Sequence, residues 1–132
     1  MAHADASIGT TNYLVAIKAG QHELKADESI ALGGNDVGPA PYELLCSALC
    51  ACTAITLRMY AERKQWPLRA VHVNVHFKRE SESEGIDRVL QFEGELDEGQ
   101  RARLADIAER TPVTLTLKRS MPIITTLKRA SP

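Results

Sequence analysis

Between Glu43 and Arg58 the chain carries no charge, and Leu44, Leu45, Leu49, Ala51, Ile55 and Leu57 fall on every side of a 3.6-residue repeat instead of along one stripe. Pro41 suits a first helical position, where its missing N–H costs nothing, and neither Gly nor Pro interrupts the pattern until Pro67. The pattern predicts one helix from about Tyr42 to Lys64, roughly 33 Å long at 1.5 Å per residue. A helix apolar all round must be buried all round. The uncharged stretch includes Ser47, Thr53 and Thr56 and falls short of the ~20 residues that cross a bilayer, so a membrane span is the weaker reading. With 132 residues in all, little chain remains to wrap such a helix. A second copy is the simplest cover, through a two-fold dimer in which the helix packs on its counterpart.

The rest of the chain mostly alternates. Short strands are expected over 12–18 and 21–27, turning at Ala19–Gly20. Val71, Val73, Val75 and Phe77 alternate with His72, Asn74, His76 and Lys78, a strand with one buried face. Ile86, Leu90 and Phe92 share a face of the next strand, and the polar residues 82–85 connect the two as a hairpin. Asp97, with Gln100 three residues on, marks the start of a second helix with an apolar stripe of Leu104, Ile107 and Ala108, ending near Arg110. Residues 121–127 are expected to close the chain as a strand, with Pro122 favouring an edge. The segment 111–117, TPVTLTL, alternates like a strand, yet Thr111–Pro112 could equally open a helical turn. This order predicts an α+β sandwich in one domain, residues 1–132.

Composition adds few constraints. With 44% hydrophobic and 25% charged residues the chain reads as a globular domain, and a net charge of -1 gives no electrostatic footprint for nucleic acid. The N-terminus has no basic start followed by an apolar run, so neither signal peptide nor anchor is expected, and a cytoplasmic location without membrane attachment follows. Three cysteines packed between positions 46 and 52 make no disulfide framework, which fits a reducing compartment. On a helix Cys46 and Cys50 share a face while Cys52 points roughly opposite to Cys50, so no two of them converge for a bond. Taken alone they read as small core hydrophobes; a reactive thiol needs a cation or donors beside it, and access. His72 and His76 lie about 13 Å apart along a strand, too far for one metal ion, and Gly33–Gly34 reads as a tight turn instead of a phosphate loop. No metal or cofactor is expected. His3 is placed in a mobile terminus.

The run from Gly38 to Cys52, GPAPYELLCSALCAC, resembles the signature of the OsmC/Ohr family, with Pro41, Leu44, Ala51 and Cys52 in register. The similarity continues through TLRMYAERK from Thr56, the exit Trp66-Pro67-Leu68, the two following strands and IAERTPV from Ile107 to Val113, which is nearly the whole chain. The resemblance implies an OsmC-like fold: an intertwined homodimer with sheets packed around long central helices and active sites at the subunit interface. It also implies a chemistry, in which a first cysteine attacks an organic hydroperoxide as a thiolate, becomes a sulfenic acid, and is resolved by a second cysteine before an external dithiol reduces the pair. Only Cys52 carries over cleanly.

Three positions depart from the family pattern. Thr111 stands where the second cysteine is found, and a hydroxyl cannot form a disulfide. The family's thiolate-stabilising arginine comes from the N-terminal region, whereas the first arginine here is Arg58; Lys18 or Lys25 could substitute, as point charges without a planar fork. Tyr42 holds the place of the partnering glutamate, with Glu43 one residue later, about 13.5 Å along the helix axis from Cys52 and so able to assist only a partner subunit's thiol. A carboxylate at the helix start is the plainer account of Glu43. The candidate catalytic residues are therefore Cys52 and Glu43, and the candidate binding residues are Tyr42 and Thr111. The expected function is thiol-dependent reduction of organic hydroperoxides through Cys52, using an external thiol reductant; the alternative is a non-catalytic dimer that binds a small hydrophobic ligand in its interface pocket.

Overall fold

The structure, a computed structural model, describes residues 1–129. In chain order it has β1 (Ala4–Ile8), β2 (Val15–Ala19), β3 (His22–Ala26), a single 3-10 turn at Ile30–Leu32, α1 (Pro41–Lys64), β4 (Leu68–Glu80), β5 (Ser83–Gly94), α2 (Glu98–Ala108) and α3 (Pro112–Leu117). The α+β content is as the alternation predicts. The chain divides into two compact units, one of Met1–Ala51 with Val73–Val89, the other of Cys52–His72 with the chain from Leu90 on.

In the first unit, β1, β2 and β3 form an antiparallel sheet in that order. Its register sets Ala6 opposite Ile17 opposite Leu24 on one face, and Asp5 opposite Lys18 opposite Glu23 on the other. Opposite charges directly across a ladder contribute roughly 0.2–1 kcal/mol per pair. The strand β1 was not expected: its small residues ADASI show little hydrophobic alternation, and the pairing to β2 reveals it. His3 is tied down in consequence, its carbonyl accepting from Gly20 N–H at 3.0 Å.

Behind β3 the chain is gathered by one carboxylate. Asp27 is 3% exposed, and its two oxygens accept the backbone N–H groups of Tyr13 at 3.1 Å, Glu28 at 2.7 Å, Asn35 at 3.1 Å and Val37 at 3.1 Å. Gly34 permits this folding-back, since a Cβ there would lie 2.2 Å from the Glu28 carbonyl oxygen. The loop is thereby held in place and delivers Pro41 to the start of α1. Burial pushes the Asp27 carboxyl up, but the N–H groups of Val37, Glu28, Asn35 and Tyr13 together more than offset it and hold it below the usual value. A carboxyl lowered on folding stabilises the protein above its unfolded pKa of about 3.9, and this contribution is lost as pH falls through the lower folded value. Urea melts should therefore weaken on acidification below about pH 4, and Asp27→Asn should be less stable than wild type at neutral pH with a shallower acid dependence. Parallel acid curves for the two proteins would assign the acid sensitivity elsewhere.

In the second unit, Leu57 and Ala61 of α1 form a sealed cluster with Leu68, Leu96, Leu104 and Ala108, flanked by Tyr60, Trp66, Val71, Leu90, Phe92 and Ile107. The start of α2 follows its sequence: Asp97 accepts from Gln100 N–H at 2.7 Å, and the Gln100 side chain accepts from Asp97 N–H at 2.9 Å. Gly94, at φ 135°, passes so close to Pro67 that a Cβ would lie 2.1 Å from the Pro67 carbonyl oxygen.

The expectations for α1, for residues 121–127 and for residues 111–117 fare differently. Within this chain α1 has one buried stripe, Leu49, Thr53, Leu57 and Ala61, while Ile55 is 55% and Met59 58% exposed, the uncovered face expected of a helix that one chain is too short to wrap. The helix is long and apolar enough to cross a membrane by length and composition, with a mean hydropathy of 1.6. The core helix of a globular domain meets the same test; here Leu57 and Ala61 pack into the cluster of the second unit, and 22% of the apolar stretch is buried within this chain. Residues 121–127 form no strand, and Met121, Ile123, Ile124 and Leu127 all stand exposed. A strand needs a neighbour to accept its ladder bonds, and an alternating pattern supplies none. The ambiguous segment is helical, because Pro112 enters at the first position of α3.

Candidate functional site

Cys52 projects from α1 half-buried. One turn further on, the Thr56 hydroxyl lies 4.0 Å from its sulfur, where either group can donate. The main-chain N–H of Val113 donates to the same sulfur at 3.5 Å, across 61 residues of sequence. A helix leaves its first N–H groups without intrahelical acceptors, and Val113, directly after Pro112, carries one of them. It meets sulfur instead. A donor aimed at this atom strengthens when the thiol ionises, because hydrogen bonds to charged acceptors are roughly twice as strong as neutral ones.

Thr111 and Thr114 steady this turn from within. The Thr111 and Thr114 hydroxyls are 2.6 Å apart, and Thr114 donates to the Ala108 carbonyl at 3.3 Å. Each hydroxyl has one proton, so Thr111 must donate to Thr114. Thr111, proposed above as a binding residue, is fully buried with its hydroxyl engaged in this relay.

The other candidates serve the start of α1. Glu43 Oε1 accepts the Ala40 N–H at 2.9 Å, which is the reciprocal arm of a capping box and accounts for a carboxylate at that position. Tyr42 stacks on Phe77 with ring centroids 4.5 Å apart, and its hydroxyl accepts from Arg79 at 2.6 Å. Arg79 lies over both rings and pairs with Glu84 at 2.6 Å; Glu84 first, then Tyr42, hold the guanidinium above its usual range. The Lys18 side of the first sheet, with Asp5 and Glu23 in register, lines a shallow concavity of about 500 Å³ that also includes Lys25. Both described partners of the Cys52 sulfur are neutral groups. On β4, His72 pairs with Glu93, and Arg69 reaches the same carboxylate at 3.5 Å; solvent screens exposed pairs of this kind, so they add little to stability. Among the described residues no three His, Cys, Asp or Glu side chains converge as a metal-binding group.

Cys50 has a different environment from Cys52. Its thiol donates to the Val73 carbonyl at 3.7 Å. Burial pushes the thiol up and Cys46 adds to the rise, against smaller opposing effects from Arg88 and the Val75 N–H. Thiolate is the reacting form. Iodoacetamide at neutral pH should therefore label Cys50 more slowly in the native protein than in the urea-unfolded chain, read by peptide mass spectrometry; equal rates would show that the fold does not suppress this thiol.

The Val113 N–H was missed by the sequence reading because a main-chain donor leaves no mark on residue type. The available signal was Pro112, which suits a first helical position and so a turn with N–H groups left over, but the alternation of the same segment suited a strand equally.

Residues 33–126 match the family model described as OsmC-like protein. The fold is similar to that of an OsmC-like protein from Mycoplasma pneumoniae, at 19% identity over 89% of this chain and 87% of that one, with a TM-score of 0.76. It is similar also to an organic hydroperoxide resistance protein OsmC from Legionella pneumophila, described as a predicted redox protein and regulator of sulfide bond formation, at 21% identity over 89% of each chain and a TM-score of 0.66. A third likeness is to an organic hydroperoxide resistance protein from Elizabethkingia anophelis with crystallant-derived thiocyanate bound, at 19% identity over 89% of this chain and 88% of that one, TM-score 0.67. At these identities the likeness speaks to the fold. No curated protein matches the sequence.

Proposed function

The chain belongs to the OsmC-like protein family, and from that premise we propose that it reduces organic hydroperoxides through Cys52, as a homodimer, with electrons from an external thiol. The observation that carries this reading is the half-buried Cys52 sulfur faced by the Val113 N–H at 3.5 Å. The Cys52 thiolate attacks one peroxide oxygen and the O–O bond breaks. The alkoxide takes a proton and leaves as an alcohol, and the sulfur retains the transferred oxygen as a sulfenic acid. A thiol then attacks this sulfur, water departs, and a second thiol releases the mixed disulfide and regenerates Cys52. With Thr111 in place of a second cysteine, both reducing thiols come from outside this chain's 111 position.

The exposed Ile55 and Met59 on α1 support the homodimer, since a second copy would remove both from water. Sedimentation velocity should give a dimer. The activity is tested with cumene hydroperoxide and dithiothreitol: cumyl alcohol should form in step with oxidised dithiothreitol over many turnovers. Absence of turnover together with an unmodified Cys52 would overturn the reading in favour of ligand binding without catalysis.

A further inference from the structure

We infer that, when reductant is scarce, oxidised Cys52 closes onto the main-chain nitrogen of Val113 to form a reversible cyclic sulfenyl amide that shields the sulfur from further oxidation. This rests on the proposed peroxidase reading and addresses what happens to its sulfenic acid.

The geometry makes the Val113 nitrogen the partner. It lies 3.5 Å from the sulfur, with its hydrogen already directed at it. The first α3 bond among those described runs from Leu115 N–H to the Thr111 carbonyl at 3.0 Å, so Val113 N–H belongs to the orphan set and its loss removes no ladder bond from the helix. Other resolving groups are occupied. Thr111 is buried with its hydroxyl engaged by Thr114, and Cys50, two positions back and about 200° round the same helix, donates to the Val73 carbonyl.

The step balances without a further oxidant. Cys52 S–OH and Val113 N–H become an S–N bond and water; the S–O and N–H bonds break, and sulfur stays at the oxidation level set by the hydroperoxide. Condensation of a sulfenic acid with a backbone nitrogen is an established branch of cysteine oxidation. An amide nitrogen is a weak nucleophile, so the step depends on proximity, for which effective molarities of about 10⁵–10⁸ M are available to well-oriented groups. The Thr56 hydroxyl, 4.0 Å from the sulfur, is placed to hydrogen-bond the departing oxygen. A thiol reverses the closure by attacking sulfur while the nitrogen takes back a proton. Sulfinic acid, the next oxidation product, has no such general return.

The test uses the full chain carrying Cys46→Ser and Cys50→Ser, so that no internal disulfide can give the same mass. One equivalent of cumene hydroperoxide is added without reductant, followed by intact-mass and tandem mass spectrometry. The expected product is two hydrogens lighter than the reduced protein, with the Cys52 peptide joined to the Val113 peptide and released by dithiothreitol. A lasting sulfenic, sulfinic or sulfonic acid on Cys52 without that cross-link, or a Cys52–Cys52 disulfide between copies, overturns the inference and leaves the peroxidase reading standing. An unmodified Cys52 overturns both. Val113→Pro removes the N–H within the first turn of α3, where no ladder bond is lost, and under repeated peroxide additions it should lose the cross-link and hold a larger share of its oxidised Cys52 as sulfinic acid than the parent; an equal share would count against protection by this bond. The cross-link mapping decides the matter whether or not this variant folds.

Discussion

Cys52→Ser should lower dithiothreitol-coupled consumption of cumene hydroperoxide by at least about 10³-fold, the scale on which enzymes lose rate when their nucleophile is removed. Cys46→Ser and Cys50→Ser should remain close to wild type. Serine preserves the size of the side chain and can still accept the Val113 N–H, so the thermal midpoint should change little. What disappears is an ionisable, polarisable nucleophile able to take an oxygen atom. Cumyl alcohol measured by chromatography gives the rates, and an intact melting curve shows that any loss lies in chemistry. If Cys52→Ser retained a large share of the rate while Cys50→Ser lost it, the active thiol would be the one donating to Val73.

The legibility of this fold differs from element to element for physical reasons. The sequence marks α1 and α2 clearly, because each begins with a residue whose chemistry acts locally: Pro41 with Glu43 for one, Asp97 with Gln100 for the other. The alternation in β4 and β5 was equally direct, since half-burial imposes a period of two. By contrast, β1 is a strand by virtue of β2, and 121–127 lacks that partner, so pattern misleads in both directions. At the candidate site the same division holds. Cys52 could be singled out by its neighbours in sequence, whereas its closest described donor is a peptide N–H whose direction depends on how α3 begins. Asp27 was invisible for a related reason: four backbone donors converge on it only after the loop has closed.

Leu104→Ala should be the most damaging of the conservative core substitutions. Leu104 is fully buried in α2, within the cluster that includes Leu57, Leu68 and Leu96, and emptying such a site costs about 2–5 kcal/mol because the lining relaxes only in part. A loss near 3 kcal/mol would lower the melting temperature by roughly 10 °C in a domain of this size. Ile107→Val, on the margin of the same cluster, should cost only about 0.5–1.5 kcal/mol. Chemical denaturation of the three proteins measures both values, and near-equal losses would show that Leu104 is not in a sealed interior. The larger substitution should also reach the site. Ala108, which ends α2 inside this core, supplies the carbonyl that Thr114 donates to, and Thr114 in turn receives Thr111. A loosened α2 therefore loosens the turn that aims Val113 N–H at Cys52, so Leu104→Ala should lose peroxide turnover at temperatures where it is still folded, whereas Ile107→Val should not.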